Sequence, residues 1–315
     1  MKLQTSVPIF EANTPIDYKG QVILIGSCFA ENIGEKFRYY QFQSLRNPFG
    51  ILFQPLAIQN LLERSISEKE YSGDEVFYHQ ERWHCFEAHS SLSQNTKHEL
   101  IAQLNLGLKE TKDSLQSASH VVITLGTAWV YQHKEFNFPV ANCHKIPQLE
   151  FDKRLLDVGT IANSLKRIVE LVHTVSSKAK CILTVSPVRH LKDGFVENQR
   201  SKAYLIAAVH QVLHENHVSY FPSYEIMMDE LRDYRYYERD MVHPNALAVD
   251  IIWNAFKTSW ISKEAQSVME EVEAIRKGLS HRPFNPDSEA NKAFQKSVDA
   301  KISYIKERYP FMKFE

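Results

Sequence analysis

Ser27 and Cys28 stand side by side where the apolar run VILIG (22–26) ends. A hydroxyl or thiol at the carboxyl end of a buried strand, opening a helix, suits nucleophilic chemistry. The first N–H groups of a helix have no partner in the helix and favour a developing negative charge. The same position has a purely structural use, since Ser is a preferred N-cap and Gly26 permits the turn. Cys28 shares the helix start, where a thiol pKa can fall; its other reading is a small apolar residue of the core. Neighbouring side chains turn in different directions, so only one of the two is expected to face a site.

A second group lies more than two hundred residues later. In RDMVHPNALAVDIIWNAF, Asp240 precedes His243 by three residues, and Pro244 is placed at a first helical turn. The residue before a proline is pushed toward an extended backbone, so Asp240 can curl back and bond the His243 imidazole. A carboxylate so placed fixes the tautomer and stabilises the imidazolium formed when His accepts a proton from a serine. The alternative is a cap beside a surface histidine.

Certain elements must position these groups. VILIGS (22–27), VVITLG (121–126), CILTVSP (181–187) and VSYFPS (218–223) are continuous apolar runs, as expected of parallel strands buried on both faces. Helical spacing follows between them: Phe29, Ile33 and Phe37 recur at i, i+4, i+8, and Ile161, Leu165, Ile168 and Val172 form one apolar face. Alternation of strand and helix predicts a doubly wound α/β layer structure, whose ligands sit outside the carboxyl ends of the strands. The aromatic segments 75–89 and 128–145 read as hairpins added beyond strand ends, as walls or lids. From residue 262 the chain becomes charged and helical, interrupted by the breakers of SHRPFNPDS (280–288). The expected division is therefore a domain over 1–261 and a helical extension over 262–315.

The 315 residues carry 37 Lys and Arg against 38 Asp and Glu, so no overall charge marks a nucleic-acid or anionic-membrane binder. The opening stretch lacks the apolar run of a secretory signal and no segment is long enough to span a membrane, which predicts a cytoplasmic protein. The four cysteines are scattered without a paired spacing, as reduced thiols are. In a strand, Cys85, Glu87 and His89 would share one face, but the spacing of a closed zinc site is missing, and neither a metal nor another cofactor is expected. Arg189 and His190, in SPVRH (186–190), end a strand on the functional edge and are candidate substrate contacts; so is His144, beside Lys145 in VANCHK (140–145). Arg232, Arg235 and Arg239 among four aromatics read as a charged surface over partly buried tyrosines.

The stretch GSCFA (26–30) resembles the motif that names the GSCFA family, and the likeness extends through NPFGI (47–51), TLGTAWVY (124–131), VANCHK, SPVRH, FPSYEI (221–226) and DELRDYRYYERDMVHPN (229–245). That family looks like a branch of the SGNH (GDSL-type) hydrolase superfamily. The resemblance implies a three-layer α/β/α sandwich with a mainly parallel five-stranded sheet. It implies Ser27 as nucleophile, Asp240 as orienting acid and His243 as general base, with the N–H groups of Ser27 and Gly50 in the oxyanion hole. The Gly-x-Asn-Asp block of SGNH enzymes reads GTAW (126–129) here, so their oxyanion asparagine is missing; Asn142 or Thr127 is the expected replacement. The implied activity is that of a serine esterase removing acyl groups through an acyl-serine intermediate, with a small-molecule or carbohydrate ester, acetyl esters included, as substrate. An O-acyltransferase using the same triad and a catalytically silent glycan-binding module are the rivals. Oligomeric state is left open.

Overall fold

The computed structural model describes residues 5–314; the first four residues of the opening segment lie outside it. In chain order the elements are β1 (Gln21–Gly26), α1 (Cys28–Tyr39), β2 (Ser44–Arg46), α2 (Pro55–Ser67), β3 (Phe77–His79), β4 (Arg82–His84), α3 (Lys97–Gln116) and β5 (Ala118–Leu125). Then come β6 (Trp129–His133), β7 (Pro139–Val140), β8 (Phe151–Leu155), α4 (Val158–Val175), β9 (Lys180–Val185), α5 (Phe195–Val212), β10 (Val218–Tyr220), the short α6 (Ser223–Glu225), α7 (Ala246–Trp260), α8 (Lys263–Leu279) and α9 (Glu289–Arg308).

Five strands form one sheet in the order β10-β9-β5-β1-β2, every pairing parallel, with Ile25 beside Ile123 and Ile123 beside Leu183. This is the α/β/α layering that the resemblance implies. Alternate residues of the central strands feed two cores. Ile23, Ile25, Val121, Ile123, Leu183 and Val185 face α2, α3, α4 and α5, whereas Val22, Leu24, Val122 and Ile182 face α1, α7 and α8. Because both faces are covered, no polar alternation appears along these strands, which is why they are legible as unbroken apolar runs. From β1 the chain passes to β2 on one side and afterwards to β5 on the other, so the switch in strand order falls at the carboxyl ends of β1 and β5.

The helices start where local chemistry lets them. Ser27 caps α1, Pro55 occupies the first turn of α2, and the Asp157 carboxylate accepts from Thr160 N–H (2.8 Å) to cap α4. At α7 the start differs from expectation. Asn245 is the cap, its side chain accepting from Ala248 N–H (3.1 Å), while Pro244 precedes the helix and bridges to Tyr237. An amide oxygen can satisfy a free helix N–H and a proline ring cannot, so the helix begins at the asparagine.

Two strands escape the sequence patterns: β2, three half-buried residues at the sheet edge, and β8, exposed over Asp152, Lys153 and Arg154. Segment 75–89 folds as the hairpin β3–β4, and 128–145 contributes β6 and β7 to a three-stranded antiparallel sheet with β8. The hairpin strand ends at His84, so Cys85, Glu87 and His89 do not share a strand face. Glu87 instead takes the Tyr71 hydroxyl (2.6 Å) and pairs with Arg64 (3.3 Å), and His89 caps the turn Ser90–Leu92. Among the described residues no group of His, Cys, Asp or Glu is arranged to hold a metal ion. None of their helices is long and apolar enough to cross a membrane. All four cysteines are free thiols.

The charged C-terminal helices differ in how they join this body. Ala265, Val268, Met269, Val272 and Ile275 of α8 are buried in the same core as α1 and α7, whereas α9 buries only Val298 and Ile305. Gly278 permits that contact, since a Cβ there would lie 2.7 Å from Val298 Cγ2. Truncating Ile275 to Ala should therefore cost about 2–5 kcal/mol in urea unfolding, as for an ordinary core residue; a loss under about 1 kcal/mol would mean that α8 is loosely applied.

Candidate active site

Ser27 sits at the carboxyl edge of the sheet because β1 cannot continue. Gly26 has φ +141°, and a Cβ at that position would lie 2.1 Å from Thr124 O, so only glycine fits between the two strand ends. Beyond it, Ser27 N–H donates to Thr124 O (3.0 Å), its carbonyl accepts from Ala30 N–H (2.8 Å), and its Oγ accepts from Phe29 N–H (3.3 Å). The serine is thus the observed N-cap of α1, and it is fully buried, at 0% exposure. Gly126, at the end of β5, borders it closely: a Cβ there would be 3.3 Å from Ser27 Cβ.

Cys28 is half-buried, and burial pushes its thiol pKa up more strongly than the Lys202 charge and the N–H groups of the helix start pull it down. That shift disfavours the thiolate a cysteine nucleophile needs.

The late pair forms as its spacing predicts. Asp240 Oδ1 accepts from the N–H groups of Val242 (2.9 Å) and His243 (3.0 Å), while Oδ2 lies 2.6 Å from His243 Nδ1. The His243 amide, its imidazole and the Val242 amide hold the Asp240 carboxyl down at about 2. Asp240 is therefore ionised at neutral pH and must accept, which places the proton on Nδ1 and leaves Nε2 as the basic nitrogen. The turn is fastened to the segment after β9: Arg189 N–H donates to Val242 O (3.1 Å) and Arg189 Nη1 to Met241 O (3.1 Å). In a parallel sheet all carboxyl ends share one edge, so this attachment holds the turn at the edge to which Ser27 belongs. Ser27 and His243 are not hydrogen-bonded to each other among the described contacts; the imidazole is exposed and the hydroxyl enclosed.

Between these two parts lies a group that the sequence reading missed. Lys202 of α5 is 1% exposed, and its ammonium donates to Gly126 O (2.7 Å) and Ser186 O (2.8 Å), the residues that follow β5 and β9. Burial drives its pKa down to about 7. A signal was present. Asn198, Ser201, Lys202, Leu205, Ala208, Val209 and Val212 recur at helical spacing on the core face of α5, and a lysine inside such a stripe is exceptional. His190 is its neighbour: burial first, then the charges of Lys202 and His243, push the imidazole down to about 3, so it is neutral. Its N–H donates to Asn198 Oδ1 (2.9 Å), its buried Nε2 has no partner, and its ring meets the Phe53 ring edge-on at 5.5 Å.

The remaining candidates are mostly engaged in holding the fold. Gly50, at φ +68°, donates its N–H to Asn47 O (2.8 Å), so both amides expected in the oxyanion hole, Ser27's and Gly50's, are bonded to backbone carbonyls. Asn142 Oδ1 accepts from His144 N–H (2.8 Å) in a turn whose backbone bonds to Phe86, and so caps its own loop. His144 is buried beside His84 with Nε2 on Cys85 O (2.7 Å), and burial pushes it down to about 4. The Thr127 hydroxyl lies 3.0 Å from Ser201 Oγ and accepts from Trp129 N–H (3.0 Å), inside the protein. Arg189 is surrounded by Phe195, Tyr234 and Tyr237, 5.4–5.9 Å from their ring centres, and borders a cavity of about 200 Å³ with Tyr234 and Tyr237 in its wall. Arg232 and Arg235 pair with Asp229 and Asp233 on the surface.

Two outcomes test this geometry. Gly26→Ala should lose at least about 1–3 kcal/mol in denaturant unfolding, the usual cost of forbidden backbone, with the clash against Thr124 O added; wild-type stability would contradict the close approach of β1 and β5. The folded Asp240 pKa lies below its unfolded value, so the Asp240–His243 pairing persists above about pH 4 and is lost as pH falls through about 2. Nitrogen NMR at pH 8 should show His243 protonated at Nδ1, with Asp240→Asn abolishing that preference.

The chain resembles known proteins at two levels. The family model described as "GSCFA family" matches residues 21–256, and that of "GSCFA domain protein, C-terminal domain" matches 272–315. No curated protein matches the sequence. Among solved structures, a Streptococcus pneumoniae protein described as a candidate platelet activating factor is similar at TM-score 0.40 and 11% identity, over 77% of this chain and 84% of that one. A carbohydrate esterase family 3 protein from Talaromyces cellulolyticus is similar at TM-score 0.37 and 10% identity, over 80% and 99%. At such identities neither likeness speaks to the reaction. The family model, in contrast, spans the sheet, the Ser27 turn and the Asp240–His243 turn in one continuous match, and the chain belongs to the GSCFA family.

Proposed function

We propose that this protein is a serine esterase acting on an acyl ester, with Ser27 as nucleophile, His243 as general base and Asp240 as the residue that orients it. The observation that carries the reading is the Asp240 Oδ2 to His243 Nδ1 bond of 2.6 Å, fastened to the edge of the sheet at which Ser27 opens α1. Ser27 Oγ attacks the ester carbonyl as His243 Nε2 takes its proton, and the bond to the leaving alcohol breaks as His243 returns that proton to the alcohol. Water then repeats the sequence on the acyl-serine and releases the acid.

Charge on the tetrahedral oxygen is supported by the N-terminal end of α1, since the Ser27 and Gly50 amides are already bonded to carbonyls. Reaction requires Ser27 to become accessible and to come within hydrogen-bond reach of His243, a local movement of the enclosing turns. Carbohydrate esters are the proposed substrate class, on the family resemblance and on the exposed aromatics Phe195 and Tyr234 around Arg189. Transfer of the acyl group to a sugar hydroxyl uses the same groups and would show as product that depends on the acceptor.

The complete burial of Ser27 favours a second reading, a silent glycan-binding module. Turnover of p-nitrophenyl acetate and covalent labelling by a serine-directed phosphonate separate the two. For the esterase, Ser27→Ala loses turnover by roughly 10³-fold or more, His243→Ala by roughly 10²- to 10⁴-fold, and Cys28→Ala stays near wild type. Wild-type protein that resists the phosphonate yet binds glycans would establish the module instead, and loss with Cys28→Ala alone would make the thiol the nucleophile.

A further inference from the structure

We infer that Lys202 is the positioning residue of this site: its ammonium ties together the chain leaving β5 and β9 beside Ser27 and supplies the positive potential toward which negative charge develops there. The proposal rests on the serine reading for its catalytic meaning, but the placement of the charge is independent of it.

The geometry is unusual for a lysine. Its side chain runs from α5 into the interior and ends between two backbone carbonyls, Gly126 O at 2.7 Å and Ser186 O at 2.8 Å. No carboxylate pairs with it among the described residues; its titratable neighbours are the Cys28 thiol at the start of α1, the neutral His190 imidazole after β9, and the Tyr224 ring of α6, 5.7 Å away. An unpaired buried ammonium is costly, and two carbonyls repay that cost incompletely. A structural tie between two carbonyls needs no net charge, since a neutral donor would serve.

What the charge adds is a field, little screened by water, at the end of the sheet. Gly126, whose carbonyl is one of the two held, also borders Ser27: a Cβ there would lie 3.3 Å from Ser27 Cβ. Cys28, the next residue in the chain, feels the charge as a downward pull on its thiol. Although burial lowers the Lys202 pKa to about 7, roughly half of the ammonium remains charged at neutral pH, so the field is present where the site would work. Gly126 opens the stretch GTAW (126–129), and the ammonium is held on its carbonyl. Lys202 does not touch the substrate; it acts through the strand ends and through space.

The test compares wild type with Lys202→Met and Lys202→Arg by three readouts: thermal midpoint, the pH profile of Cys28 alkylation by iodoacetamide, and the rate of phosphonate labelling at Ser27. Lys202→Met removes a buried charge and also the donor to two carbonyls, so its thermal midpoint reports whether the variant folds and not what the charge does. Below pH 7, where the wild-type ammonium is charged, its Cys28 alkylation should slow at least threefold and its Ser27 labelling at least tenfold; Lys202→Arg, which keeps the charge, should recover part of both. A folded Lys202→Met with wild-type alkylation and labelling overturns the inference. If Lys202→Met does not fold, Lys202→Arg decides: its guanidinium stays charged above pH 7, so Ser27 labelling should hold in the range where wild type loses the Lys202 charge, whereas a purely structural tie predicts the pH dependence of wild type. Should wild type resist the phosphonate, the serine reading fails, and the Cys28 profile still decides where the charge acts.

Discussion

The close approach of β1 and β5 at Gly26 governs the geometry of the whole carboxyl edge. With no side chain on Gly26, Thr124 O comes near enough to take the Ser27 N–H, and the chain is turned out of the sheet directly into α1. The serine then has no choice of orientation: its amide completes the sheet bonding, its carbonyl begins the helix, and its hydroxyl caps it. The same approach brings Gly126 against Ser27, so the end of β5 becomes the wall of the site. In the proposed mechanism the nucleophile and the helix cap are one atom, because both require an oxygen facing the free N–H groups at a helix start.

Around this fixed point the edge is organised electrostatically. An ionised Asp240 sets the tautomer of His243, a buried ammonium stands between the ends of β5 and β9, and His190 is kept neutral first by its burial. Arg189 links the strand end to the His243 turn through two backbone carbonyls while its guanidinium packs among three aromatic rings. These contacts come from residues spread from 126 to 243, and they are brought together by strand order and by the packing of α5 and the 240–243 turn on the strand ends. The structure holds the Ser27 hydroxyl enclosed, with the Ser27 and Gly50 amides paired to backbone carbonyls.

The central strands and the helices α1, α4, α8 and α9 were legible because each writes its environment in a period: unbroken apolar runs where both faces are buried, and i, i+4 spacing where one is. The edge strand β2 was not legible, since three half-buried residues carry no period, and β8 was hidden by charged residues that face water. The Asp-x-x-His turn was readable as a local bond between residues three apart. Asn142, His144 and Thr127 carry chemistry compatible with a site, and in the folded protein burial and turn bonding engage it internally.

By itself, then, the sequence determined the layers, the serine at the end of its strand, and the carboxylate that curls onto its imidazole, since these depend on contacts within a few residues of the chain. Tertiary structure alone decided which amides are already paired, that Ser27 is enclosed, and that a lysine from the middle of α5 ends between Gly126 O and Ser186 O. Such facts depend on long-range packing: a backbone N–H or an ammonium acquires its partner only when distant strands are laid side by side, and no local pattern records that neighbour.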